Sequence, residues 1–247
     1  MNAKDELLKI FSLNLRTVFG KLSIDYEQLQ EIRLRINAPL LIIYENREYF
    51  VTDEAKLVDN PSLAAFITKN EIRETMEYIS NYSLYAFEEE IKQGFITING
   101  GHRIGIAGKT ILEQDSVKWI KHISFINIRL AHQVKGCAAP VLPYLINNNA
   151  GGIYHTLIIS PPRCGKTTIL RDLIRMLSNG SKYQAGMSVG VVDERSEIAA
   201  CYMGIPQNEV GIRTDVLDCC PKAKGMMMLI RSMSPQIIAV DEIGSAE

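Results

Sequence analysis

The stretch Ser160-Pro161-Pro162-Arg163-Cys164-Gly165-Lys166-Thr167-Thr168 constrains this chain more than any other. It follows an apolar run, His155 to Ile159, and opens an amphipathic segment, Ile169 to Leu177. Strand, loop and helix in that order let consecutive backbone N–H groups curl around an anion at a helix N-terminus, where the helix dipole adds its attraction. Gly165 allows close backbone approach. Lys166 is placed to reach the β- and γ-phosphates of a nucleoside triphosphate, and the Thr167 hydroxyl to ligate Mg²⁺. Residues 160–168 together are the candidate phosphate cradle. Ser160 stands where G-x-x-x-x-G-K-T has its first glycine, and is small enough to keep the loop. The competing reading is a chance Gly-Lys-Thr before an ordinary helix.

The helix after the loop is well marked. Ile169, Leu170, Leu173, Ile174 and Leu177 recur at helical spacing and predict one buried stripe, with Arg171, Asp172 and Arg175 on the other side. Asn179-Gly180 supplies a left-handed stop. Farther on, residues 236–242 read as a buried strand ending in two carboxylates, the shape of a Walker B element. Asp241 is the candidate holder of hydrated Mg²⁺, and Glu242 the candidate that orients the attacking water. Between these lies 188–195, a second parallel strand with acids at its end. Asp193 and Glu194 there either contact Mg²⁺ or the attacking water, or pair with Arg195. Ligands of open α/β sheets sit outside the carboxyl ends of the strands, so the loop and both acidic ends are expected to converge on one edge.

The chain has 247 residues, a formal charge of −1 and 47% hydrophobic residues, a globular composition long enough for one large or two smaller domains. The near-zero charge argues against broad nucleic-acid binding, which wants a basic face. The N-terminus carries acids and no long apolar core, so it is not a secretory signal. No apolar run is long enough to span a bilayer, so any membrane link is expected through partners. The five cysteines show no C-x-x-C spacing, which fits a reduced cytoplasmic protein. Cys164 reads as a small filler of the loop. His102, His122, His132 and His155 are scattered and form no metal-ligand pair.

Asn147 to Gly152 is the clearest punctuation, and it predicts a boundary between an N-terminal domain, 1–148, and a second domain, 153–247. The second alternates strand and helix, as a parallel α/β sheet does. In the first, Glu6 to Val18 predicts one helix, Glu31 to Ile36 a half-buried strand, and 40–51 a hairpin about Glu45-Asn46. Thr68 with Glu71 resembles a capping box opening a helix to Ile79. A helix over 84–93, a hairpin over 95–106 about Asn99-Gly100, and strand over 126–130 complete an α+β reading.

Taken together, these residues resemble a known family, stage III sporulation protein AA of endospore-forming bacteria. The resemblance is carried by residues 31–40, 94–98 with 101–105, the 160–168 loop, 192–198, 211–216 and 231–235 before Asp241-Glu242. That family is similar to the ATPases of type II and type IV secretion and pilus machines. The resemblance implies α/β architecture: a RecA-like P-loop NTPase domain preceded by a smaller α+β domain. It implies ATP and Mg²⁺ as cofactors, self-association in a ring, usually a hexamer, and a cytoplasmic protein recruited peripherally to membrane proteins of a sporulation channel. The implied task is to energise a secretion-like channel between mother cell and forespore. In secretion ATPases an acidic strand end between the Walker elements is part of the active site, which matches Asp193 and Glu194; Glu242, Lys166 and Glu194 are then the catalytic set, and Thr167, Asp241 and Asp193 the Mg²⁺ set. Arginines of a neighbouring subunit are implied against the γ-phosphate, with Arg213 and Arg231 as candidates and Arg103 and Arg129 behind them. RecA-like domains carry further strands after Walker B, so a C-terminally truncated domain is expected. The alternative is a nucleotide-gated nucleic-acid-binding module using Arg33, Arg35 and Lys21. A small-molecule kinase would keep the loop but need an acceptor pocket for which no residues stand out.

Overall fold

The computed structural model describes residues 3–83, 87–92, 94–113, 116–147, 152–162, 164–181 and 184–242. Its internal contacts divide the chain into two units, Met1–His132 and Gln133–Glu247, the first being the longer.

The first unit opens with α1 (Ala3–Lys9) and α2 (Leu13–Lys21). The single helix expected there is broken because Ser12 acts as an N-cap: its hydroxyl accepts from Leu15 N at 3.5 Å while its own N–H donates to Thr75 Oγ1 at 3.2 Å. Phe11 and Phe19 stack across the break with centroids 4.6 Å apart. There follow β1 (Leu29–Arg35), β2 (Leu41–Tyr44), β3 (Arg47–Val51), β4 (Leu57–Val58), α3 (Lys69–Ile79), α4 (Glu88–Lys92), β5 (Phe95–Thr97), β6 (Arg103–Glu113) and β7 (Ser116–Arg129). The strands form one antiparallel sheet in the order β4-β3-β2-β1-β7-β6-β5. The β2–β3 turn places Glu45 and Asn46 both at positive φ, the conformation that matches strand twist in a two-residue hairpin. Thr68 and Glu71 make both halves of the capping box that starts α3. The strand expected over 126–130 is the end of a much longer one, β7, paired with β6. Of the helix expected over 84–93, residues 84–86 and 93 lie outside the described residues. Arg33 is hydrogen-bonded to Glu31 at 2.8 and 2.9 Å, so half of the alternating basic strip is neutralised in place.

The second unit contains α5 (Leu142–Leu145), the short pair β8 (Ile146–Asn147) and β9 (Gly152–Ile153), then α6 (Lys166–Asn179), β10 (Val189–Asp193), β11 (Thr214–Asp218), α7 (Lys222–Ser232) and β12 (Ile237–Val240). Three parallel strands lie in the order β11-β10-β12. On one face Ile174 and Leu177 of α6 join Val189, Val191, Ile237 and Ala239 in a buried cluster. On the other face α7 lies close, because Gly225 has no side chain: a Cβ there would sit 2.5 Å from Val192 Cγ1. Gly180, at φ +73, ends α6.

One expected strand is not formed. Residues 155–159 take no strand pairing, and Leu157 and Ile159 are 61% and 82% exposed. An apolar run becomes a strand only when a neighbour accepts its ladder bonds. Here the carbonyls of Ser160 and Pro161 are bonded by Lys166, and a cavity of about 690 Å³ separates 153–158 from β12.

His102 is buried in the first unit, and its Nδ1 accepts from Ala131 N at 3.1 Å. Burial, then the charge of His132, pushes it down from 6.5 to about 4. Below pH 6.5 the unfolded chain takes up a proton that the folded chain refuses, so stability is full above that value and falls as pH drops toward 4. The expected loss between roughly pH 6.5 and 5 is about 1.5 kcal/mol. Urea unfolding followed across that window checks it, and His102→Asn should flatten the slope.

Candidate functional site

The N-terminus of α6 is set by Gly165, whose φ of +82 turns the chain from loop into helix. Lys166 and Thr167 occupy the first turn. Lys166 Nζ donates to the carbonyls of Ser160 and Pro161, each at 3.0 Å, so the lysine closes the loop on itself. Pro161, Pro162 and Cys164 are exposed, while Ser160, Gly165, Lys166, Thr167 and Thr168 are half-buried. Arg163 lies outside the described residues.

Parallel register brings the acids to this helix end. Val192 pairs with Val240, so Asp193 and Asp241 follow at the same edge of the sheet. Thr167 Oγ1 donates to Asp241 Oδ1 at 3.2 Å. Asp241 Oδ2 is buried and has no hydrogen-bond partner among the described residues. Burial raises the Asp241 carboxyl above its ordinary value; the charge of Glu197 is the next cause, ahead of Asp193 and Glu242, while the Thr167 bond opposes them. A hydroxyl and a carboxylate with an unused buried oxygen suit a small hard cation, which takes oxygen ligands, so the residues fit Mg²⁺. Lys166, Asp241 and Glu242 also line the 690 Å³ cavity.

The other two acids of the sequence reading are occupied differently. Asp193 is fully buried, and its carboxylate accepts from the backbone N–H groups of Glu197 (2.8 Å), Ile198 (3.0 Å) and Ala199 (2.8 Å). Glu194 is ion-paired with Lys222. Arg195 pairs with neither of them but lies 3.6 Å from Glu242. Of the arginines considered for action in trans, Arg213 is bonded within its own unit to Ser178 O at 2.9 Å, and Arg231 is exposed at the end of α7.

Two features were missed in the sequence. Helical spacing alone puts Arg171 and Asp172 on the outer side of α6. Yet Arg171 is partly buried, donating to Ile198 O at 2.6 Å and Glu197 O at 2.5 Å, and burial lowers its pKa against the pull of Asp193 and Asp241. Asp172 is 1% exposed, accepting from Ala138 N at 2.8 Å and from Arg175 at 2.7 and 2.9 Å. The available signal was an i,i+3 Asp–Arg pair next to an apolar stripe, which reads equally well as surface.

A three-layered α/β unit with a Gly-Lys-Thr helix start and acids at the strand ends has the P-loop fold. The structure of the pilus retraction motor PilT with bound ADP matches with a TM-score of 0.53 and 14% identity, over 97% of this chain and 60% of that one. The Legionella pneumophila ATPase DotB matches with a TM-score of 0.49 and 14% identity, over 89% of this chain and 57% of that one. This chain thus spans about three-fifths of the length of those ATPases. The chain belongs to the family Sporulation stage III, protein AA, which matches residues 1–247. Stage III sporulation protein AA of Bacillus subtilis (strain 168) is 46% identical over 220 residues, 89% of this chain and 67% of that protein.

Removing the Asp193 carboxylate strands three inward-pointing N–H groups. At about 1 kcal/mol or more for each, Asp193→Ala should cost about 3 kcal/mol of stability. Glu194→Ala, which breaks only a partly exposed ion pair, should change it by less than about 1 kcal/mol. Chemical denaturation of both variants checks the contrast.

Proposed function

We propose that this chain is an ATP-binding and ATP-hydrolysing subunit of a sporulation motor, working as a ring on a membrane channel complex. The observation that carries the reading is the Thr167–Asp241 hydrogen bond beside an unpartnered buried oxygen, one residue from the loop lysine. Thr167 and Asp241 would hold Mg²⁺, with the buried Asp193 adding negative charge from behind them. When bound, Mg²⁺ supplies neutralisation of charge on the β- and γ-phosphate oxygens. Lys166 exchanges the carbonyls of Ser160 and Pro161 for phosphate oxygens, and the 160–168 backbone supplies N–H donors at the positive end of α6. Glu242 orients the attacking water and accepts from it, with Arg195 holding the carboxylate in place.

Support for the motor role comes from the family and from the likeness to a pilus retraction motor. A ring fits that likeness, and an arginine from the neighbour completes the charge on the γ-phosphate; Arg231, exposed, is the better placed of the two in this unit. No helix among the described residues is long and apolar enough to cross a membrane. A cytoplasmic protein docked on membrane partners is the corresponding placement.

Nucleotide binding is tested by titrating the chain with a fluorescent ATP analogue in the presence of Mg²⁺. Lys166→Ala should weaken binding at least tenfold, the loss of one charge-assisted contact, and abolish any Mg²⁺-dependent phosphate release. Equal affinity in the variant would remove the reading.

A further inference from the structure

We infer that the solvent-facing side of the seven-stranded sheet in the first unit binds single-stranded nucleic acid, with β1, β6 and β7 supplying the cations and Phe125 an exposed stacking ring.

Strand alternation sorts the residues. Residues directly opposite each other in an antiparallel ladder share a face, and every second residue along a strand returns to it. One face takes Ile32, Leu34, Ile104, Ile106, Ile126 and Ile128, all buried. The other takes what lies between them. Across β1, β7 and β6 it reads Glu31, Arg129, Arg103 in one row, Arg33, Asn127, Gly105 in the next, and Arg35, Phe125, Ala107 in the third. Past a bulge at His122, where Gly108 leaves room for the His122 carbonyl, Lys109 and Lys121 form a fourth row. Over these four rows the cations share their face with one acid, Glu31. The chain-wide charge of −1 hides this, because α3 and α4 carry Glu71, Glu74, Glu77, Glu88 and Glu90. Lys21 ends α2 and is not on the sheet.

The fold does not reward this arrangement. Arg103 lies directly opposite Arg129, and Lys109 directly opposite Lys121. Like charges so placed destabilise a sheet. Glu31 answers Arg33 at 2.8 Å and reaches Arg129 only at 3.9 Å. Arg35, Lys109 and Lys121 make no ion pair among the described residues. Departures from local stability rules gather at functional sites, and a string of phosphates turns each of these repulsions into an attraction.

The remaining residues choose among polyanions. Phe125 is 49% exposed, with Arg35 on one side and Ala107, too small to cover it, on the other. Arg103 stacks on Phe95, its guanidinium carbon 3.6 Å from the ring centroid. Aromatic rings and guanidinium planes are the surfaces on which unpaired bases stack. Asn127, in the middle, has a buried Oδ1 with no hydrogen-bond partner among the described residues, and its amide can serve a base edge as donor and acceptor. A duplex keeps its bases stacked on one another, and a lipid headgroup brings charge without a base, so a single strand is the ligand that uses the whole face.

The test is fluorescence anisotropy of labelled oligo(dT) titrated with the full chain in the absence of nucleotide. Contacts from Arg35, Arg129, Lys109 and Lys121 correspond to a slope of about −3 in log affinity against log salt, an affinity falling about 50-fold between about 50 and 200 mM KCl. Lys109→Gln with Lys121→Gln should halve that slope and leave the thermal midpoint unchanged or higher, since it removes a repulsion. Phe125→Ala should lower the affinity about tenfold at unchanged slope, the loss of one stacked base. Phe125→Leu, which keeps an apolar group in place, should lose as much while holding the fold. The oligo(dT)–oligo(dA) duplex should bind more weakly than the single strand. No binding of oligo(dT) at the lower salt, equal binding of the duplex, a slope unmoved by the lysine pair or an affinity unmoved at Phe125 overturns the inference. Loss of the thermal transition in both Phe125 variants also overturns it, by making the ring structural. Capture by phosphatidylglycerol vesicles under conditions where oligo(dT) is not bound overturns it in favour of a lipid surface.

Discussion

The parallel pairing of β10 with β12 carries the rest of this site. Because Val189 to Val192 lie in register with Ile237 to Val240, the residues that follow, Asp193 and Asp241, leave the sheet at one edge. A parallel ladder buried on both faces has no freedom to slip by one residue without turning its apolar side chains outward. The register is therefore held by burial of Val189, Val191, Ile237 and Ala239 against α6, and the acids inherit their positions from it. Gly225 secures the opposite face by letting α7 sit directly on Val192.

Burial then assigns different tasks to carboxylates that look alike. A buried carboxylate must be hydrogen-bonded, paired or neutralised. Asp193 meets this with three backbone donors, Asp172 with Arg175 and a backbone N–H, and Glu194 by remaining at the surface with Lys222. Asp241 meets it only halfway, through Thr167, with one oxygen left over. That residual requirement sets Asp241 apart from the other carboxylates, and it is the basis for the cation site proposed at the start of α6.

Much of this organisation is legible in the residues themselves. The loop, the helix it opens and the glycine that ends it, the strands at 189–193 and 237–240, the Thr68–Glu71 capping box and the Glu45-Asn46 hairpin all arise from local chemistry that a short window contains. Less is legible where the outcome depends on a partner. Residues 155–159 have the composition of a strand but no ladder neighbour. Ser12 has a hydroxyl like any other, and becomes a helix boundary because Thr75, distant in sequence, accepts its N–H. The long β7 exists because β6 pairs with it, and Asp172 is buried because Ala138 folds over it.

The amino-acid sequence by itself determined the helix start and the two acidic strand ends, since a Gly-Lys-Thr turn and apolar strands ending in acids are local patterns. Only the tertiary structure decided how each acid is buried and partnered. Asp193, Glu194, Asp241 and Glu242 are chemically two residue types, and their surroundings separate only through contact with Thr167, depth below the surface and the supply of backbone donors. Those quantities are set by the packing of α6 against β10 and β12, which no window of sequence contains.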